Sequence, residues 1–348
     1  MNIPVIPLLP MLGKPHYRNP GKRHTSSDGQ KFTVGIDSID ASYSHKYFGT
    51  QKGISVYSFI DEAHKLPYST VITPSEREAA YVIDELMAND VVQSDIHSTD
   101  THGYSEVIFA VCHLLGVSFA PRIKNLKYQR YYSFEMPSEA NKEGYKILSS
   151  GRIKSELIED QWDEILRLIV TIKSKEETAS QLFKRLSSYS RQHPLYRALK
   201  QFGRIVKSVF LLRYIDDVEL RQAIEKQLNK VESYHQFAKA VFFGGNQEFN
   251  YATREEQLVA EGCKRLIANA IICWNYLYLS KQISAAETPD AKRIIVRAVV
   301  AGSVVTWQHV NFHGEYDVSE KLLKGGEVFN LEELLDLDFD WYFTENAT

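Results

Sequence analysis

Apolar residues change their rhythm along this chain near residue 127. Before that point, short β-branched and aromatic runs alternate with helical ones. FTVGI (32–36) and GISVYSFI (53–60) lie beside glycines and predict strands. In VITPSEREAAYVIDELMAND (71–90) a strand end gives way to a helix. Pro74 suits its first turn, and Ala79, Val82, Ile83 and Leu86 form one apolar stripe. VVQSDIHSTD (91–100) predicts a strand with Asp100 at its C-terminal end. SEVIFAVCHLLG (105–116) predicts a short buried helix closed by Gly116, and VSFAPRI (117–123) one more strand.

Past residue 127 the spacing becomes helical. Residues 163–175, 179–188, 195–214, 218–243, 255–280 and 290–307 carry apolar residues three and four apart. NLEELLDLDFDWYF (330–343) predicts a last short helix or a peripheral segment. There are no internal repeats. The fold class expected is α/β: a compact mixed module followed by a mostly helical region.

Length and composition narrow the class further. A chain of 348 residues, 44% hydrophobic and 24% charged, is expected to be a soluble globular protein of one large domain or two ordinary ones. No apolar run reaches the roughly 18–20 residues that span a bilayer. The first twenty residues hold five prolines, and their basic residues follow the apolar ones, so an extended lead-in is expected rather than a signal peptide. Cys112, Cys263 and Cys273 form no CxxC pair and sit in apolar, helix-like surroundings. They predict reduced core residues and a cytoplasmic protein.

The net charge of −3 hides separate regions. Residues 178–213 hold eight Lys/Arg and no acid, residues 1–27 hold four and none, and the tail from Glu315 has ten acids against two lysines. Four of the cations, Arg197, Lys200, Arg204 and Lys207, recur at 3-4-3 spacing on one helix face. They are candidates to track a phosphate backbone; an ordinary solvated face is the alternative. Lys22 and Arg23, just before Asp28, are further candidate DNA contacts.

Three acids carry the candidate chemistry. Asp28 (HTSSDGQKF) and Asp100 (HSTDTHGY) lie beside strand-like segments, and Glu232 (LNKVESYHQFAKAVFFG) lies on a helical one. Phosphodiester chemistry needs an activated water and a stabilised leaving oxygen. Two Mg²⁺ about 3.5–4 Å apart supply both, and Mg²⁺ takes hard carboxylate oxygens. Asp28 would bridge both ions, Asp100 would bind one and Glu232 the other. Pattern alone leaves rivals: Asp37, Asp40, Asp84, Asp95 and Glu261. An Asp-Gly pair is also a common turn signal. His235, one turn past Glu232, could orient that glutamate or touch the scissile phosphate, and His102 could lie near bound DNA. His97, His102 and His113 lack a Cys or acid at zinc-site spacing. There is no Walker loop, GxSxG or HExxH.

The segments SSDGQKF, STDTHGYSEVIFAVCHLLGVSFAPRIKNL, LNKVESYHQFAKAVFFG, NAIICWNYLYL and HVNFHGEYDVS, in this order, resemble the C-terminal catalytic region of the DDE transposases of the Tn-three-type replicative transposons. The likeness runs from about Arg23 to Val318. It implies that Asp28, Asp100 and Glu232 form the catalytic triad, although Val231 stands where family members often have glycine. It implies an RNase H-like core in which a long, mostly helical insertion separates the second aspartate from the glutamate, 132 positions later. The expected organisation is a lead-in (1–21), the first part of the core (22–126), the helical insertion (127–220), a helical remainder carrying Glu232 (221–310) and an acidic C-terminal segment (311–348).

The resemblance further implies two Mg²⁺, replaceable by Mn²⁺, and DNA strand cleavage at transposon ends. Transfer of the freed 3′-hydroxyl to target DNA follows. It also implies a dimer or larger assembly on DNA in the bacterial cytoplasm, at the nucleoid. Family members are usually about three times longer. A fragment is therefore expected: a truncated gene, one piece of a split one, or a catalytic module that relies on a separate N-terminal transposase polypeptide. The alternatives are an inactive remnant that binds DNA or a full-length transposase, and a stand-alone metal nuclease.

Overall fold

The computed structural model describes residues 23–61, 68–74, 78–88, 94–141, 147–188, 193–242, 247–301 and 305–314. The lead-in 1–21, Lys22 and the acidic segment beyond residue 314 lie outside the described residues.

Strand β1 (His24–Thr33) is the spine of a mixed sheet. On one side it pairs antiparallel with β3 (Lys52–Asp61), which pairs antiparallel with β4 (Tyr68–Ile72) and, at its start, with the two-residue β2 (Ser42–Tyr43). On the other side β1 runs parallel to β5 (Ile96–Thr99), and β5 runs parallel to β6 (Ser118–Phe119). The strand predicted at 32–36 thus starts eight residues earlier and stops at Thr33. Its polar stretch Thr25-Ser26-Ser27 reads as a loop in isolation, yet all three residues are buried. Their hydroxyls find partners: Thr25 and Ser27 hydrogen-bond the two ring nitrogens of His97 at 2.9 Å each, and the Gln227 amide donates to Ser26 Oγ at 3.1 Å. Buried polar groups are tolerated when satisfied in this way.

Helices cover both faces. After α1 (His45–Phe48), α2 (Glu78–Ala88) lays the predicted stripe Ala79, Val82, Ile83 and Leu86 into a core shared with α3 (Glu106–Leu114), Tyr57, Phe59 and Phe119. Gly116, at φ 85°, turns the chain after α3 as expected. The region past residue 127 opens with a small parallel pair, β7 (Tyr131–Ser133) and β8 (Ser149–Arg152), which the periodicity does not announce. Around it come α4 (Pro137–Ala140) and α5 (Ser155–Glu159). The longer helices follow: α6 (Trp162–Lys173), α7 (Ala179–Ser188) and α8 (Pro194–Asp216). Helix α8 crosses α3 so closely that Gly203 rests on the carbonyl of Glu106.

A single non-helical residue, Asp217, separates α8 from α9 (Val218–Val241) and caps the latter by accepting from Leu220 N at 2.8 Å. Helix α9 packs on the opposite face of the sheet with α10 (Arg254–Ala285), through Val231, Tyr234, Phe237, Ala268 and Ile272. Helix α10 starts at a capping box between Thr253 and Glu256. Helix α11 (Pro289–Ala301) follows. The α/β class stands. Of the three cysteines, only Cys112 is a core residue; Cys263 is exposed and Cys273 half-buried, because α10 turns both away from the sheet. Among the described residues no helix is long and apolar enough to cross a membrane.

Candidate active site

The register of two parallel strands brings the aspartates together. Ser27 pairs with Thr99, so Asp28 and Asp100 come next on neighbouring strands, which lie about 4.8 Å apart. Asp100 directly follows its strand and caps the turn Thr101–Gly103, accepting from Thr101 N at 2.6 Å. Glu232 arrives on α9. That helix is pinned to β1 on either side of Asp28: by Gln227 to Ser26, and by Gln30, whose amide donates to the His235 carbonyl at 2.7 Å.

Arg122, just past β6, ties the glutamate to the second aspartate. Its Nη2 lies 3.1 Å from Asp100 Oδ1 and 3.6 Å from Glu232 Oε1, while Nη1 lies 3.2 Å from Glu225 Oε1. Lys124 Nζ stands 3.7 Å from Asp100 Oδ2, and His235 Nδ1 stands 3.8 Å from Asp28 Oδ2. Glu232 is turned toward Arg122, and among the described residues no three His, Cys, Asp or Glu side chains are gathered closely enough to hold one metal ion.

The two aspartates are driven in opposite directions. Burial pushes the Asp28 carboxyl up to about 7, helped by the negative charges of Glu78 and Asp100 and opposed by the Gly29 N–H, which donates to it at 2.9 Å. Burial also works against ionised Asp100, but the Thr101 N–H, Arg122 and Lys124 outweigh it and hold that carboxyl below its usual range. Burial, with Lys264 next, pushes His235 down to about 3, so its ring is neutral. The two aspartates face an open cavity of about 1550 Å³ whose walls include Lys31, Tyr47, Glu78, Lys184 and Lys200. A Cβ on Gly29 would meet the Glu78 carboxylate and Ser55 Oγ, so any larger residue after Asp28 requires those two side chains to move.

The family described as Tn3 transposase DDE domain matches residues 13–316. The chain belongs to this family. It is 34% identical over 302 residues to the transposase for transposon Tn1546 of Enterococcus faecium, which covers 86% of the chain and 30% of that protein. It is 33% identical over 294 residues to the transposase for transposon Tn3926 of Escherichia coli, covering 84% and 29%. It is 30% identical over 308 residues to the transposase for transposon gamma-delta of E. coli strain K12, covering 88% and 30%. The chain thus spans about a third of the length of these relatives.

Within this Tn3-family domain the rival acids have other partners. Asp37 pairs with Lys52, Asp40 with Arg254, Asp84 accepts from Ser180 N, and Asp95 accepts from Arg23 N. Glu261 is buried beside Lys264. Glu232, not Glu261, shares a cation with Asp100.

The candidate DNA contacts scatter more than their spacing suggests. Arg23 is exposed but lies five residues before Asp28, about 17 Å along an extended strand. Of His102 only the backbone is described, in the turn after Asp100. Along α8, Arg197 is exposed and Lys200 reaches the cavity, but the expected solvated stripe stops there. Arg204 stacks on Tyr132 at 4.5 Å, and Lys207 is buried over Tyr104 at 5.5 Å, because that side of α8 docks on α3 and β7. His235 is half-buried, with its Nδ1 beside Asp28 and its Nε2 buried without a hydrogen-bond partner.

Three residues escaped the sequence reading. Arg122 and Glu78 carry no local signal. Glu225 could have been noticed, since it precedes Glu232 by seven residues and so shares its helix edge.

Proposed function

We propose that this chain is a transposase catalytic domain that cuts DNA at transposon ends and joins the freed 3′-hydroxyl to target DNA. The observation that carries it is the alignment of Asp28, in one strand, with Asp100, just past the end of the adjacent parallel strand, and the link from Glu232 to Asp100 through Arg122. The strand order β2-β3-β1-β5-β6, with β1 antiparallel to β3 and parallel to β5, supports an RNase H-like core. The stretch from about 127 to 220 then reads as the insertion between the second aspartate and the glutamate.

The donor set fits divalent magnesium. All three groups are hard carboxylate oxygens, and two of them already hold a cation, the Arg122 guanidinium. Asp28, Asp100 and Glu232 would hold the metal; when bound, it activates the attacking oxygen and stabilises the leaving one. The chain's own contribution is placement. Gln227 and Gln30 fix α9 against β1, so the glutamate stays near the aspartates. Lys184 and Lys200 put positive charge on the wall of the same cavity, where a DNA backbone would run. Family relatives are named for whole transposons; assembly as a dimer on paired ends, end recognition by further transposase sequence and residence at the nucleoid belong to the same proposal.

The test uses the purified chain with Mg²⁺ or Mn²⁺ and pre-nicked DNA carrying a transposon end. Cleavage or joining that disappears in Asp100→Asn supports the reading. Binding without turnover favours an inactive chain that binds DNA or a full-length transposase, and cutting indifferent to end sequence favours a nuclease. In the same material, Lys200→Ala is expected to weaken DNA binding across sequences and lower its salt slope by about one.

A further inference from the structure

Arg122 stands where a cation belongs. Its Nη2 and Nε approach Asp100 Oδ1 at 3.1 and 3.3 Å, Nη2 approaches Glu232 Oε1 at 3.6 Å, and Nη1 is tethered to Glu225 at 3.2 Å. The arginine side chain is only 18% exposed, so its charge is less screened than a surface one. One guanidinium therefore neutralises two of the three carboxylates proposed above as metal ligands. It also turns Glu232 toward itself, which accounts for the absence, among the described residues, of a ready three-acid group.

We propose that Arg122 is a built-in counter-ion that a divalent cation must displace, and that DNA phosphate draws it aside, coupling metal binding to DNA binding. This rests on the metal reading of Asp28, Asp100 and Glu232. The chemistry follows from the guanidinium itself. It cannot lose its charge, and its planar fork matches a phosphate as well as it matches a carboxylate. Asp100 lines the same cavity as Lys200, and Arg122 lies behind it at 3.1 Å, so a backbone phosphate that reaches Asp100 offers Arg122 a second partner. The metal then meets carboxylates freed of their competitor. By thermodynamic reciprocity, metal must strengthen DNA binding by the same factor.

The experiment is a Mn²⁺ titration followed by electron paramagnetic resonance on the full chain, with and without a short duplex DNA. It compares wild type with Arg122→Met, Arg122→Gln and Arg122→Lys. Wild type is expected to bind Mn²⁺ in a manner that requires Asp28 and Asp100 and to bind it more tightly with DNA present. Arg122→Met and Arg122→Gln are expected to bind roughly tenfold more tightly without DNA, the gain from removing a competing pose held nine-tenths of the time. DNA should then add little, and Arg122→Lys should fall between. Thermal melts by circular dichroism identify any variant that does not fold, leaving the comparison to the others. Aspartate-dependent Mn²⁺ binding in wild type, with equal or weaker binding in the folded Met and Gln variants, would overturn the counter-ion role and leave the metal reading standing. Mn²⁺ binding indifferent to Asp28→Asn and Asp100→Asn would remove the metal reading, and this proposal with it.

Discussion

Replacing His97 with phenylalanine isolates the clamp that aligns the two aspartate strands. The ring is fully buried, stacked at 5.3 Å on Phe59 and 6.4 Å on Phe119, with its nitrogens bonded to Thr25 and Ser27 on β1. Phenylalanine keeps the stack and loses both hydrogen bonds. At about 0.5–1.5 kcal/mol net for each, His97→Phe is expected to destabilise the chain by about 1–3 kcal/mol at pH 7. Acid then narrows the gap. Burial, with the positive influence of His24 second, pushes His97 from 6.5 down to about 3.

The folded pKa lies below the unfolded one, so the unfolded chain takes up the proton first. Wild-type stability therefore falls as pH drops below 6.5, down to about 3. Near 1.36 kcal/mol per pH unit, this single group removes about 2 kcal/mol between pH 7 and pH 5. The variant lacks that loss. Urea unfolding of both proteins at pH 7 and pH 5 measures the difference, and the other titrating groups, apart from the neighbouring His24, cancel in the comparison. Stability differences that are equal at the two pH values would refute a buried, neutral His97.

Gly203→Ala gains about 1 kcal/mol of helix propensity but drives a methyl group into the carbonyl of Glu106, where backbone cannot step aside. A lower urea midpoint is expected, and an unchanged or higher one would mean that α8 and α3 are not in contact there. Lys264→Met leaves Glu261 buried at 1% exposure without its partner, 3.9 Å away. The single change should cost about 3–5 kcal/mol, and the double change Lys264→Met with Glu261→Leu should recover most of it; a double variant no more stable than the single one would show that the pair is not coupled.

Much of the element order was legible because it rests on local spacing. The stripe Ala79, Val82, Ile83 and Leu86 is buried as its rhythm promised, and the six long helical periods all fold as helices, although the last one, predicted to 307, ends at Ala301 and several apolar positions, such as Val259 and Ile294, stay exposed. The acid-free stretch 178–213 likewise announced that cations would gather, and Lys184 and Lys200 do line the cavity beside Asp28 and Asp100. Family motifs picked Asp28, Asp100 and Glu232 out of 44 acids, which periodicity could not do.

What spacing could not supply was decided by partners distant in the chain. His24–Ser27 becomes central strand only because His97 and Gln227, some 70 and 200 residues away, satisfy its hydroxyls. Lys207 leaves the cationic stripe because α3 covers that side of its helix. Arg122, Glu78 and Glu225 join the site for the same kind of reason. Alone, the sequence determined the long helices and which acids bear the family's motif, since both are properties of neighbouring residues. Tertiary structure decided which charges face the cavity and which cation sits on the carboxylates. Those outcomes depend on burial and long-range pairing, and neither leaves a mark in local order.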